Sequence, residues 1–207
     1  MNNIVIVGSS GFAEEIKWLI TRINTDRIQW NFLGFIDIKK SIDVIGDDQF
    51  LIDYKDKLAV VIAVADCTLR KKLYEKYKLN DNLYFPNLID PSVQFSKDLI
   101  LGEGNIICAN SILTVKVKIG NFNIVNLNCT IGHEATLLDF VTLNPAVNVS
   151  GNVTLQEGVF VGTGTQILQG KTVNKYSVVG AGAVVTTDVP ELCTAVGVPA
   201  KVIKDRR

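Results

Sequence analysis

The stretch IGNFNI VNLNCT IGHEAT LLDFVT LNPAVN VSGNVT LQEGVF VGTGTQ, residues 119–166, decides the fold. Each group of six opens on an aliphatic side chain, and the series runs on in both directions. It reads Leu101, Ile107, Leu113, Ile119, Val125, Ile131, Leu137, Leu143, Val149, Leu155, Val161, Ile167, Val173, Val179 and Val185. An unbroken aliphatic run at this period marks a repeat architecture. Three residues after an aliphatic stand Gly104, Asn110, Asn128, Asn152, Gly158, Gly164, Gly170 and Gly182, which tolerate positive φ and so permit a sharp corner. Four residues after it come small or β-branched side chains such as Ser111, Val117, Cys129, Ala135, Val141, Val147, Val153, Val159, Thr165 and Ala183. A corner every six residues, with short strands between, describes a chain wound into a parallel β-helix with its aliphatics stacked in columns.

Residues 1–88 follow a different grammar. An apolar strand at residues 4–7 leads into the turn Gly8-Ser9-Ser10-Gly11 and a helix at residues 12–23, where Ile16, Leu19, Ile20 and Ile23 share one face. Strands are expected at residues 32–36 and 59–65, with a charged helix at residues 69–77 carrying Arg70, Lys71 and Lys72. Apolar strands alternating with helices imply a small parallel sheet covered on both faces, about half of a Rossmann-type unit. The expected domains are therefore 1–88, Rossmann-like, and 89–207, β-helical.

Composition removes several function classes. At 47% hydrophobic and 20% charged, the 207 residues can bury a core, which excludes a disordered chain. Lys plus Arg equals Asp plus Glu at 21 each, so no net field draws in nucleic acid or an anionic membrane. The opening MNNIVIVGSSG lacks a basic leader, and no run of 18 apolar residues occurs. A cytoplasmic protein without membrane insertion or a nucleic-acid partner is expected. Cys67, Cys108, Cys129 and Cys193 are widely spaced and His133 is the one histidine, so a single chain cannot assemble a Cys/His zinc cage. No metal is expected, and the cysteines read as structural thiols.

Hexads such as Ile119-Gly120-Asn121-Phe122-Asn123 and Val161-Gly162-Thr163-Gly164-Thr165 resemble those of the hexapeptide-repeat acyltransferases. The resemblance covers residues 93–203, including the tail Gly197-Val198-Pro199-Ala200-Lys201-Val202-Ile203. It implies a left-handed β-helix with three hexads per turn, a handedness the usual crossover rule would not suggest. The N-terminal half narrows the resemblance to nucleotide-sugar N-acetyltransferases of bacterial glycan synthesis and the related sialic acid O-acetyltransferases. It is carried by Gly8-Ser9-Ser10-Gly11, by Asp37 after Gly34-Phe35-Ile36, and by Arg70 after Asp66-Cys67-Thr68-Leu69. That family implies acetyl-coenzyme A as donor, a nucleotide-linked amino sugar as acceptor, a homotrimer, and active sites between neighbouring β-helices.

His133 sits in Ile131-Gly132-His133-Glu134-Ala135, at a corner and outside the apolar column. An imidazole can take a proton at neutral pH from an amine or hydroxyl attacking a thioester, whereas a plain reading makes it a turn histidine. The resemblance makes His133 the general base and Glu134 the residue that holds its ring. On the acceptor side it implies Ser9, Ser10, Gly11, Phe12, Asp37, Ile38, Ala65 and Asn126, although a corner asparagine also has a structural use. For the donor it implies Thr142, Thr163 and Ala181. Lys171, Lys175, Lys201 and Lys204 either meet coenzyme A phosphates or are solvated surface lysines. The turn Gly8-Ser9-Ser10-Gly11-Phe12-Ala13 lacks the dinucleotide spacing, which argues against a redox NAD site. Two positions depart from the family pattern, Phe12 and Thr142, where many relatives carry histidine. The rival expectations are O-acetylation of a sugar such as a sialic acid, and a non-catalytic ligand-binding scaffold.

Overall fold

Eighteen residues make one turn of the repeat unit. Ile112 pairs with Thr130, Thr130 with Asn148, Asn148 with Gln166 and Gln166 with Val184, parallel at every step. Two-residue strands fall on three separate sheets. The first face contains Ile112–Leu113, Thr130–Ile131 and Asn148–Val149, the second Lys118–Ile119, Thr136–Leu137 and Thr154–Leu155, and the third Ile124–Val125, Thr142–Leu143 and Phe160–Val161. Three hexads thus close each turn, and the coil is a left-handed parallel β-helix. At its C-terminal end Cys193–Val196 joins the third face in parallel, and Lys201–Asp205 pairs with it antiparallel.

The computed structural model describes residues 1–25, 27–39 and 41–205. They divide into two compact units, Met1–Pro91 and Ser92–Arg207. In the second unit every column aliphatic from Ile107 to Val185 is at most 2% exposed, and the small residues from Ser111 to Ala183 named above are at 0%. Each buried aliphatic contributes about 1.5–3 kcal/mol, so the columns hold the coil together. Polar groups inside are paired: Asn123 donates both its backbone N–H (2.8 Å) and its Nδ2 (3.1 Å) to Asn105 Oδ1 one turn below. Cys108, Cys129 and Cys193 are buried and Cys67 is half-buried.

The corners go beyond what glycine and asparagine announced. Positive φ also occurs at Lys116 (56°), Phe122 (55°), Glu134 (61°), Phe140 (60°), Ala146 (59°) and Tyr176 (53°). A left-handed backbone costs an L-residue about 1–2 kcal/mol, yet the ladder bonds and buried column on either side fix each corner. The aromatic corners recover contact area. The Phe122 and Phe140 rings stack at 5.4 Å and 8°, and Phe122 lies over Gly104, where an added Cβ would come within 2.4 Å of it.

In the first unit β1 (Asn2–Val7), β2 (Trp30–Ile36), β3 (Val44–Gly46), β4 (Leu58–Ile62) and β5 (Leu83–Tyr84) form an all-parallel sheet in the order β3-β2-β1-β4-β5. Helices α1 (Gly11–Ile23), α2 (Asp48–Asp53) and α3 (Cys67–Tyr77) connect them. The sheet is larger than the sequence reading allowed, because β3, α2 and β5 are too short to show a period. The strand expected at 59–65 stops at Ile62, and α3 starts two residues early because Asp66 caps it, accepting from Leu69 N–H at 2.7 Å. Among the described residues no helix is long and apolar enough to cross a membrane.

Candidate functional site

The first unit offers a crevice where the chain changes direction. After β1 the connection runs by α1 to β2 on one side, whereas β4 lies on the other. The carboxyl ends of β1 and β4 therefore flank a switch point, the place where open parallel sheets bind ligands. Gly8 turns there at φ 100°, and any Cβ would press to 3.3 Å from Ala63 O. Ser10 stands at the N-cap of α1 without making a side-chain cap, which leaves first-turn N–H groups facing outward in the manner suited to phosphate.

Ser9 is committed elsewhere. Its Oγ donates to Asp37 Oδ2 at 2.7 Å, and Lys39 N–H donates to Asp37 Oδ1 at 3.0 Å. Burial pushes the Asp37 carboxyl up, but these hydrogen bonds outweigh it and hold the group below its ordinary value. The acid is ionised at neutral pH and fixed against the glycine turn. Beyond it, Ile38 is 84% exposed, at the mouth of a groove lined by Asp37, Ser41, Val44, Ile45 and Phe50. Ser10, Gly11 and Ala65 are exposed and Phe12 is half-buried. The structure thus joins the glycine turn and the strand-end acid, which sequence spacing alone could not link.

His133 stands on the corner between the first and second faces of the β-helix, and its side chain is 51% exposed. Its Nδ1 lies 3.2 Å from Glu134 Oε2, so the carboxylate can accept an Nδ1–H and leave Nε2 as the proton acceptor. Glu134 occupies the left-handed corner position, and Lys116, one turn earlier, reaches its Oε1 at 3.8 Å. One turn later Gly151 forms the floor under the ring: a Cβ there would sit 2.3 Å from His133 Nε2. Sequence reasoning passed over Gly151, although the number 133 plus one turn of 18 points straight to it. Lys116, Lys118, Glu134, Thr136 and Asn152 line an adjoining groove.

The remaining expected residues lie elsewhere. Asn126, Thr163 and Ala181 belong to the corner between the third and first faces. Thr163 and Ala181 are exposed, whereas Asn126 is 9% exposed and spends its Oδ1 on Leu127 N–H at 2.7 Å. Thr142 sits in a strand of the third face at 1% exposure. Lys175, Lys201 and Lys204 are exposed and Lys171 is half-buried. Among the described residues no three His, Cys, Asp or Glu side chains gather as a metal site.

Residues 3–77 match the family described as PglD N-terminal domain. Similar solved structures include the acetyltransferase domain of PglB from Neisseria gonorrhoeae, at TM-score 0.91 and 26% identity over 98% of this chain and 100% of that one. A variant of perosamine N-acetyltransferase from Caulobacter crescentus, solved with CoA and GDP-perosamine, superposes at TM-score 0.89 and 28% identity over 99% and 98%. GDP-perosamine N-acetyltransferase of Escherichia coli O157:H7 is 28% identical over 153 residues, 69% of this chain and 66% of that protein. The chain is thus similar over 98–99% of its length to these sugar acetyltransferase structures, and over residues 3–77 to the PglD N-terminal domain. It spans only 31–42% of the length of the first curated relatives it matches, serine acetyltransferases among them.

Proposed function

We propose that the protein transfers an acetyl group from acetyl-coenzyme A to the amino group of a nucleotide-linked amino-deoxysugar, with His133 as general base. The observation that carries this reading is the His133 ring, exposed at a corner, held at Nδ1 by Glu134 and seated on Gly151. In the proposed step the neutral amine attacks the thioester carbonyl, Nε2 takes the proton the nitrogen sheds, and that proton passes to the departing thiolate. Holding amine and thioester together supplies much of the rate advantage without a covalent enzyme intermediate. The Gly8 turn and Asp37 receive the nucleotide, and Thr163 and Ala181 meet the donor.

The donor residues and the base stand on different edges of one coil. The reading therefore requires a homotrimer, in which a neighbouring coil brings its own edge to His133. The decisive experiment offers acetyl-coenzyme A with UDP-, GDP- and dTDP-linked amino sugars and follows thiol release, then locates the acetyl group by mass spectrometry. An amide on one of these acceptors is expected. An ester in its place, or no release with any amino sugar, sinks the proposal.

Glu134 sharpens the test because it is placed at the cost of backbone strain. Glu134→Gly should raise stability by about 1 kcal/mol, some 2–4 °C in Tm, by removing a left-handed Cβ. The same change should lower turnover roughly tenfold by freeing the ring. Thermal melting beside steady-state kinetics checks this, and a variant that is both more stable and fully active would remove Glu134 from the mechanism.

A further inference from the structure

Arg70 is among the largest fully buried side chains, 1% exposed, in the first turn of α3. Burying a guanidinium is costly, and a hydrophobic residue would fill the space at less expense. Burial lowers its pKa only to about 10, so the charge persists at neutral pH. Its Nη1 donates to Val64 O at 2.6 Å and to Ala65 O at 3.0 Å. Those carbonyls belong to the turn that follows β4, next to Ala63, whose own carbonyl packs against Gly8. The guanidinium therefore holds one wall of the switch-point crevice from beneath.

We propose that Arg70 is a positioning residue for the diphosphate of the nucleotide: it draws the Val64 and Ala65 carbonyl oxygens away from the crevice and sets a buried positive charge under it. A carbonyl oxygen left facing a phosphate repels it, whereas one bound inward to a cation does not. The guanidinium matters because it stays charged in a buried site and its rigid plane aims Nη1 at both oxygens, whereas a buried lysine loses its proton readily and carries no planar head to fix that direction. This inference rests on the nucleotide-sugar reading above, and binding alone can test it.

Calorimetry on the intact protein would compare UDP, GDP and dTDP with the uncharged nucleosides uridine, guanosine and thymidine, with coenzyme A as control. Arg70→Lys should weaken the bound diphosphate on the order of tenfold, and Arg70→Gln more, while nucleoside and coenzyme A binding change far less. An unchanged diphosphate affinity in Arg70→Lys overturns the proposal, and so does an equal loss for nucleoside, diphosphate and coenzyme A, which signals general damage. Should the variants fail to fold, hydrogen exchange on the wild type decides. Amides of residues 64–66 should be protected by the diphosphate that binds, and absence of that protection refutes the role. A wild type that binds none of UDP, GDP and dTDP instead removes the nucleotide-sugar reading, and the Arg70 role with it.

Discussion

His133→Ala is expected to lower turnover by about 10²–10⁴-fold, the usual contribution of a positioned general base. The ring is half exposed and lies outside the buried columns, so its removal leaves the coil intact. Loss of activity will then report chemistry and not unfolding, which thermal melting can verify. Near wild-type turnover in His133→Ala, with the true acceptor, would falsify the assignment of the base.

Gly151→Ala should approach the same loss, on the order of 10²-fold, although it touches no substrate by design. The backbone at Gly151 is not left-handed, so an alanine is locally acceptable there. Its methyl group, however, would lie 2.3 Å from His133 Nε2 and 2.4 Å from Cε1, far inside contact distance, and the ring must move. Gly170, on the same edge one turn further, provides the opposite control. It has φ 69° and open space around its Cβ direction, so Gly170→Ala should cost about 1 kcal/mol of stability and leave turnover alone. If Gly151→Ala keeps full activity, the ring geometry described above is not the working one.

The β-helix was legible because six-residue periodicity survives in the aliphatic column without help from tertiary context. Leu101 to Val185 told of strands and corners, and Ile107 to Val185 are indeed buried. The corner rule was only partly legible: Asn110 and Gly104 advertised their φ, whereas Lys116, Phe122 and Tyr176 did not, since the ladder imposes that conformation on residues that dislike it. In the first unit β1, α1, β2, β4 and α3 announced themselves by apolar runs. β3 and β5, at three and two residues, carry too little pattern to be seen.

The site was readable as residue types and not as contacts. His133 and Glu134 stand next to each other in the chain, so their pairing could be anticipated. The hydrogen bond from Ser9 to Asp37 spans 28 residues and depends on β1 lying beside β2. Gly151 lies one 18-residue turn from His133, a link that only the resemblance's three hexads per turn could have supplied. The 1% exposure of Thr142 likewise follows from packing that no local pattern encodes.

A turn of 18 residues also governs how such a chain can change length. Losing or gaining one hexad would keep every strand aliphatic and every corner intact, yet swing all later residues a third of the way round the axis. Thr163 and Ala181 would migrate to another edge, and the protein would fold well with its working parts misaligned. Only whole turns can be added or removed without scrambling that arrangement, so natural length variants should differ by multiples of 18, or by loops that bulge outward from a corner.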